Sequence, residues 1–176
     1  MAIPEHSQGG PIPADDETRS LTVADPDDPA LRHLAVVGDT YTVLISGAQT
    51  AGRYALIDML VPAGGGPPPH RHDFEEMFHV LAGEIVVTIR GETRTATVGM
   101  TVNIPALAPH AFRNATGQTV RLLCNVSPAG LEEYFAAFGD PVPSRMAPAP
   151  ALSEQEMGER MGRAAALAAQ YRVEML

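Results

Sequence analysis

Between about residues 33 and 127 the apolar positions fall into short runs separated by Gly, Pro, Asn and Asp. Alternation and punctuation predict strands at 34–37, 41–46, 53–61, 75–81, 84–90, 93–98, 101–104, 110–114 and 119–127. Short strands at this spacing each need a second sheet to cover their apolar face, so the pattern predicts an all-β fold, an antiparallel sandwich or barrel. Arg90-Gly91-Glu92-Thr93 reads as a hairpin turn, with Gly91 free to take positive φ.

Both flanks break the pattern. Residues 1–30 are rich in Pro, Gly and Asp, a composition that cannot close a core, and predict an extended arm. After Pro128 the period becomes helical: Leu131, Tyr134, Phe135 and Phe138 share one face. A proline-rich connector runs from Asp140 to Pro150, and Ser153-Glu-Gln-Glu156 then matches a capping box. Met157, Met161, Ala164, Ala165, Ala168 and Tyr171 form a mildly apolar stripe, read as a helix clasping the barrel or a partner subunit. The chain therefore divides into an arm (1–30), a barrel (31–128) and a helical extension (129–176), with no internal repeat.

Composition narrows the function. A 176-residue chain with a hydrophobic fraction of 45% can bury one core. Twelve Lys and Arg against 21 Asp and Glu give a net charge of −9, which disfavours nucleic acid and anionic membrane as partners. The lone cysteine, Cys124, lies in the apolar run Val120–Val126 and reads as a small buried hydrophobe. Met1-Ala-Ile-Pro-Glu5 has no basic and apolar leader pattern, and no apolar run approaches the roughly 20 residues of a membrane span, so the expectation is a soluble, cytoplasmic protein.

The chemistry concentrates in Gly64-Gly-Gly-Pro-Pro-Pro-His70-Arg-His72-Asp-Phe-Glu-Glu76. Along an extended chain His70 and His72 share a face, Arg71 takes the other, and parity returns Glu76 to the face of the imidazoles. Two imidazoles and a carboxylate converging inside a barrel make a metal site, because an ion offsets the cost of burying them. In a second stretch, Gly99 to Asn114, His110 follows a proline-fixed turn and can add a fourth ligand. By the same parity Asp73, Glu75 and His79 point away, and Arg113 points outward toward a surface salt bridge. Phe78 and Val80 fall on the face of Glu76, and Phe112 and Asn114 on that of His110, so these four are expected to line a substrate pocket. His6 and His33, in or beside the arm, receive no functional role.

The two stretches resemble the motifs of the cupin family. Gly64, His70, His72, Glu76 and Gly83 match Gly-x5-His-x-His-x3-Glu-x6-Gly, and Gly99, Pro105, His110 and Asn114 match Gly-x5-Pro-x-Gly-x2-His-x3-Asn. Leu107 stands where the second motif usually has Gly, at a turn that Leu tolerates poorly if φ is positive. The resemblance implies a double-stranded β-helix or jelly-roll barrel holding one divalent transition metal, Fe, Mn, Ni, Co or Zn, on His70, His72, Glu76 and His110. The stretches His70–Leu81 and Pro109–Asn114, with the tail ending Tyr171-Arg-Val-Glu-Met-Leu176, are similar to bacterial single cupins related to quercetin 2,3-dioxygenase. That likeness implies a metal-dependent dioxygenase acting on a flavonol-like or other enolisable aromatic molecule, with Glu76 as both ligand and base. Two other readings remain: a metal-dependent cyclase or isomerase of a polyketide-like substrate, and a non-catalytic small-molecule-binding cupin. A homodimer is expected, since cupin barrels expose sheet edges that the arm and the C-terminal helix could cover on a neighbour.

Overall fold

A computed structural model describes residues 11–176. The chain forms β1 (Arg32–Val36), β2 (Asp39–Ile45), α1 (Gly47–Thr50), β3 (Ala55–Val61), β4 (His70–His72), β5 (Glu75–Ala82), β6 (Glu84–Ile89), β7 (Glu92–Thr97), β8 (Thr101–Ile104), β9 (His110–Arg113) and β10 (Val120–Ser127). There follow α2 (Leu131–Phe138), β11 (Asp140–Pro141), α3 (Glu154–Ala168), a 3₁₀ turn at Ala169–Tyr171, and β12 (Val173–Met175). The strands make two sheets, ordered β11-β1-β2-β3-β10-β5-β8 and β12-β4-β9-β6-β7. Every pairing is antiparallel.

Period-two burial explains why these segments are strands. Along β10, Val120, Leu122, Cys124 and Val126 are buried while Arg121, Leu123 and Asn125 are less so. In β5, Glu76, Phe78 and Val80 turn inward and Glu75, Met77 and His79 do not. The inward sets meet in one core that includes Ile57, Phe78, Ile85, Ile104 and Leu122, all fully enclosed. Each such side chain contributes about 1.5–3 kcal/mol of apolar burial.

Four short elements were not expected from the pattern: α1, β4 as a separate strand, β11 and β12. The strand predicted from residue 53 starts at Ala55, because Ala51 and Gly52 turn through positive φ just before it. The segment 11–31 has no regular structure, and His6 lies outside the described residues. This arm lies on its own barrel: Arg19 donates to the Gln49 carbonyl, Asp27 pairs with Arg145, and the Asp28 carbonyl meets His33 Nε2. His33 Nδ1 meets the Thr42 hydroxyl, so this buried histidine is structural.

The C-terminal extension also turns onto its own chain. In α2, Leu131, Tyr134 and Phe138 are buried, and the Phe135 ring packs against that of Tyr41 at 4.8 Å, tilted by 59°. Helix α3 begins at the expected capping box, with Ser153 N–H donating to Glu156 Oε2 and Glu156 N–H to Ser153 Oγ. Of its expected stripe only Ala164 and Ala168 are buried, and Ala165 is exposed. Tyr134 donates its hydroxyl to the Ala164 carbonyl at 2.8 Å, locking the two helices together. Among the described residues no helix is long and apolar enough to cross a membrane.

Candidate metal centre

The glycine-proline loop after β3 delivers β4 into the barrel. Gly66 takes φ +123°, and a Cβ there would collide with the Phe112 carbonyl, so only glycine lets the two backbones approach this closely. Gly64 N–H donates to the Asn114 carbonyl and Asn114 N–H to the Gly65 carbonyl, which fastens the loop to the end of β9. Strand β4 then pairs with β9 through His70 and His110, and with β12 on its other side.

Parity had placed Glu76 on the face of His70 and His72, as if on one continuous strand. The structure brings it there by another route. The chain turns at Asp73–Phe74, and Glu76 arrives on β5, in the opposite sheet. The site therefore closes across the barrel, with three imidazoles from one wall and one carboxylate from the other. One ligand atom from each of His70, His72, Glu76 and His110 can be chosen so that all lie within 4.8 Å of one another. Glu76 Oε2 is 3.3 Å from His72 Nε2 and 3.2 Å from His110 Nε2.

The imidazoles are oriented by backbone. Nδ1 of His70 lies 2.9 Å from the Pro68 carbonyl, Nδ1 of His72 is 2.8 Å from that of Phe74, and Nδ1 of His110 is 2.8 Å from that of Ala108. A carbonyl only accepts, so each Nδ1 carries a proton and each Nε2 is left to face the cluster. Phe74 stacks flat on the His72 ring at 3.9 Å and fixes its plane. Three ring nitrogens with the donor tautomer set by an outer hydrogen bond, facing one carboxylate, are compatible with a single metal ion.

The electrostatics agree. Burial, then the neighbouring His110, push the His70 pKa down to about 4, which keeps it neutral and able to donate. Burial opposes ionisation of Glu76, but hydrogen bonds with His110 and His72 outweigh it and hold the carboxyl at about 2. For His110 burial also opposes the charge, yet the Glu76 and Ala108 hydrogen bonds raise its pKa above the usual value. That proton sits where a cation would sit.

An apolar cavity of about 130 Å³ reaches the cluster at His70 and Glu76. Its walls include Tyr41, Met59, Phe112, Tyr134, Phe135 and Phe138, and β12 and α3 add Val173, Met175 and Met161. Of the four residues expected to line a pocket, Phe112 does so. Phe78 and Val80 face inward but belong to the core between the sheets, where Phe78 meets Phe112 edge-on at 5.0 Å. Asn114 is buried and structural: its amide donates to the Val61 and Gln118 carbonyls, and its oxygen accepts from Thr116. Parity tells inward from outward, but it does not tell a filled interior from an empty one. The helical aromatic face of 131–138 was visible in sequence, and it is this face that walls the cavity.

Outside the cavity, His79 meets the Thr101 hydroxyl, Asp73 pairs with Arg172, and Glu75 accepts from Ala106 N–H. Arg113 is exposed and makes no ion pair among the described residues, contrary to the expected salt bridge. Leu107 takes φ +68°, the left-handed conformation that the glycine of the motif would adopt, and donates its N–H to the His72 carbonyl at 2.6 Å. Sequence reasoning missed Cys124, whose thiol donates to Glu76 Oε1 at 3.4 Å. Its position in a strictly alternating strand was the available signal, since every second residue of β10 faces inward.

Two facing antiparallel sheets with a His-x-His strand, a carboxylate opposite and a third histidine on the adjacent strand define a cupin. Residues 57–126 match the cupin domain model, and the chain belongs to the cupin superfamily. It is 30% identical over 128 residues to quercetin 2,3-dioxygenase of Bacillus subtilis, an alignment covering 72% of this chain and 37% of that one. The fold is similar to that of the polyketide cyclase RemF from Streptomyces resistomycificus (TM-score 0.54, 22% identity, 81% of this chain and 94% of that one). It is also similar to that of a predicted oxalate decarboxylase from Thermotoga maritima (TM-score 0.55, 16% identity, 61% and 99%). The chain thus spans little more than a third of the length of the dioxygenase it matches.

Proposed function

We propose that this chain is a metal-dependent cupin enzyme, a dioxygenase acting on a flavonol-like or other enolisable aromatic molecule. The observation that carries the reading is the junction of the His70–His72–Glu76–His110 cluster with an aromatic-walled cavity. The likeness to quercetin 2,3-dioxygenase supports the choice of substrate class.

Three imidazoles and a carboxylate suit Fe, Mn, Ni, Co or Zn, and such an ion supplies the Lewis acidity that lowers the pKa of an enol hydroxyl, with redox-capable ions also serving oxygen chemistry. The protein supplies the rest. Tyr41, Phe112, Phe135 and Phe138 bind flat rings and exclude water. The imidazoles, pinned through Nδ1, need no reorganisation when a ligand arrives. Glu76, whose carboxylate lines the cavity, accepts the proton of the acidified hydroxyl.

The test is oxygen uptake with quercetin and related enols by protein reconstituted separately with Fe, Mn, Ni and Co. Wild type consumes oxygen with at least one ion, and Glu76→Gln, which keeps an oxygen donor but loses the base, is slower by about 10²–10⁴-fold. If no reconstituted wild type takes up oxygen with any of these molecules, the dioxygenase reading fails. Non-oxidative cyclisation or isomerisation at a carbonyl, or binding without turnover, then takes its place.

We also propose that the chain is a homodimer. The supporting observation is the exposed apolar pair Val98 and Met100 in the link between β7 and β8, the outer strands of the two sheets. The arm and α3, folded on their own chain, leave the barrel itself as the contact surface. Light scattering that reports a monomer at micromolar concentration sinks this proposal.

A further inference from the structure

The cavity has a second polar point, which the metal cluster does not use. Asp39 opens β2 and is 3% exposed, and Tyr41 lies two residues on along the same face. Both line the cavity. The Tyr41 hydroxyl donates to Asp39 Oδ2 at 2.9 Å, while Asp39 Oδ1 is buried with no hydrogen-bond partner. Gly65 stands against that oxygen, and any side chain at 65 would collide with it. The other cavity-lining hydroxyl, that of Tyr134, is already committed to the Ala164 carbonyl. The rest of the wall away from the cluster is aliphatic, aromatic or thioether, apart from its backbone.

A buried acceptor without a donor is costly, and native proteins keep one where something else supplies the donor. Tyr41 cannot supply a second, because its single proton already points at Oδ2. Its phenolic oxygen still has lone pairs, and the carboxyl behind it makes that oxygen a better acceptor. Burial raises the Asp39 carboxyl to about 7, as expected of a group short of donors.

We propose that Tyr41 and Asp39 form a second anchor in the cavity, accepting a hydrogen bond from a hydroxyl of an otherwise apolar aromatic ligand at a point separate from the His/Glu cluster. The proposal rests on the reading above in taking this cavity as the ligand site, and it makes the preferred substrates aromatics with a second hydroxyl beyond the enol. Tyr41 and Asp39 are then specificity-determining residues, and the cluster remains the reacting centre.

The experiment compares 2-naphthol with 2-methoxynaphthalene, which have nearly the same shape but differ by one donor, by calorimetric titration of zinc-loaded protein. Wild type prefers the naphthol by about tenfold or more, as one good hydrogen bond gives. Asp39→Leu, and Asp39→Leu combined with Tyr41→Phe so that neither acceptor remains, reduce that ratio to less than about threefold, with zinc content and affinity for the methyl ether unchanged. A ratio that survives both substitutions places the hydroxyl at the metal instead and overturns the proposal, as does a wild type with no preference. Neither outcome depends on oxygen uptake, so failure here is distinct from failure of the dioxygenase reading.

Discussion

Cys124 Sγ lies 3.4 Å from Glu76 Oε1, while the other oxygen of the same carboxylate faces His72 and His110. Burial, then the Glu76 charge, push the thiol pKa well up, so the group is a neutral S–H donor rather than a nucleophile. It fixes the rotation of the carboxylate. Cys124→Ala removes the donor and leaves a small void, and should weaken metal affinity by about 10-fold or more and cost about 1–2 kcal/mol of stability. Cys124→Ser keeps a donor and should lie nearer wild type. Titration against a competing chelator reads the affinities, and three equal values would show that the thiol merely fills space.

His70→Ala and His110→Ala should each lose most bound metal, while His79→Ala, whose ring meets Thr101 outside the cavity, should keep it. Elemental analysis of the purified proteins decides this, and equal loss in all three variants would remove the assignment. Protons compete with the ion for the same nitrogens, and Glu76 raises the pKa of His110. Metal content should therefore fall as pH drops below about 6, where histidine begins to charge.

At Leu107 a side chain occupies a left-handed backbone position, yet 62% of the residue is exposed, so little burial holds it there. Leu107→Gly should leave stability within about 0.5 kcal/mol of wild type, because relief of strain offsets the added freedom of the unfolded chain. Leu107→Val should cost about 1 kcal/mol or more, since a β-branched residue fits this conformation worse. Urea melts of the two variants test the pair, and a large loss in the glycine variant would mean that the Leu side chain contributes packing.

Asp39 should make the protein less stable as pH rises. Its carboxyl titrates near 3.8 when unfolded and near 7 when folded, because burial outweighs the Tyr41 hydrogen bond. Between those values the unfolded chain has released the proton that the folded chain retains, so stability falls with rising pH and the loss is complete above about 7. The limit is about 4 kcal/mol at roughly 1.4 kcal/mol per unit. His70 and Glu76 line the same cavity and titrate in both proteins, so the difference between wild type and Asp39→Asn isolates Asp39. With chelator present, the variant should match wild type near pH 4 and exceed it at pH 8. Parallel stability curves would refute the shift.

The strands of the barrel were legible because their inward faces alternate, and the cluster because His70, His72, Glu76 and His110 keep a recognisable spacing. Strand β12 was not. Val173-Glu-Met175 has no period long enough to read, and it is a strand only because the edge of β4 offers it unpaired backbone groups. Asp39 was equally silent, since a single acidic residue at the head of a strand looks like any turn residue. Val37 and Gly38, both at positive φ, form the tight hairpin that sets Asp39 opposite Val36, and a β-branched residue there is an uncommon choice.

Strand β12 has a consequence for how the molecule is assembled. Arg71 on β4 meets Glu174 on β12, 103 positions later in the chain. At about 5–20 residues per second, synthesis separates the two by roughly 5–20 seconds. During that interval β4 has a bare edge, and the cavity lacks the wall that Val173 and Met175 provide. Docking of β12 thus pairs the edge of β4 and closes the side of the cavity in one step.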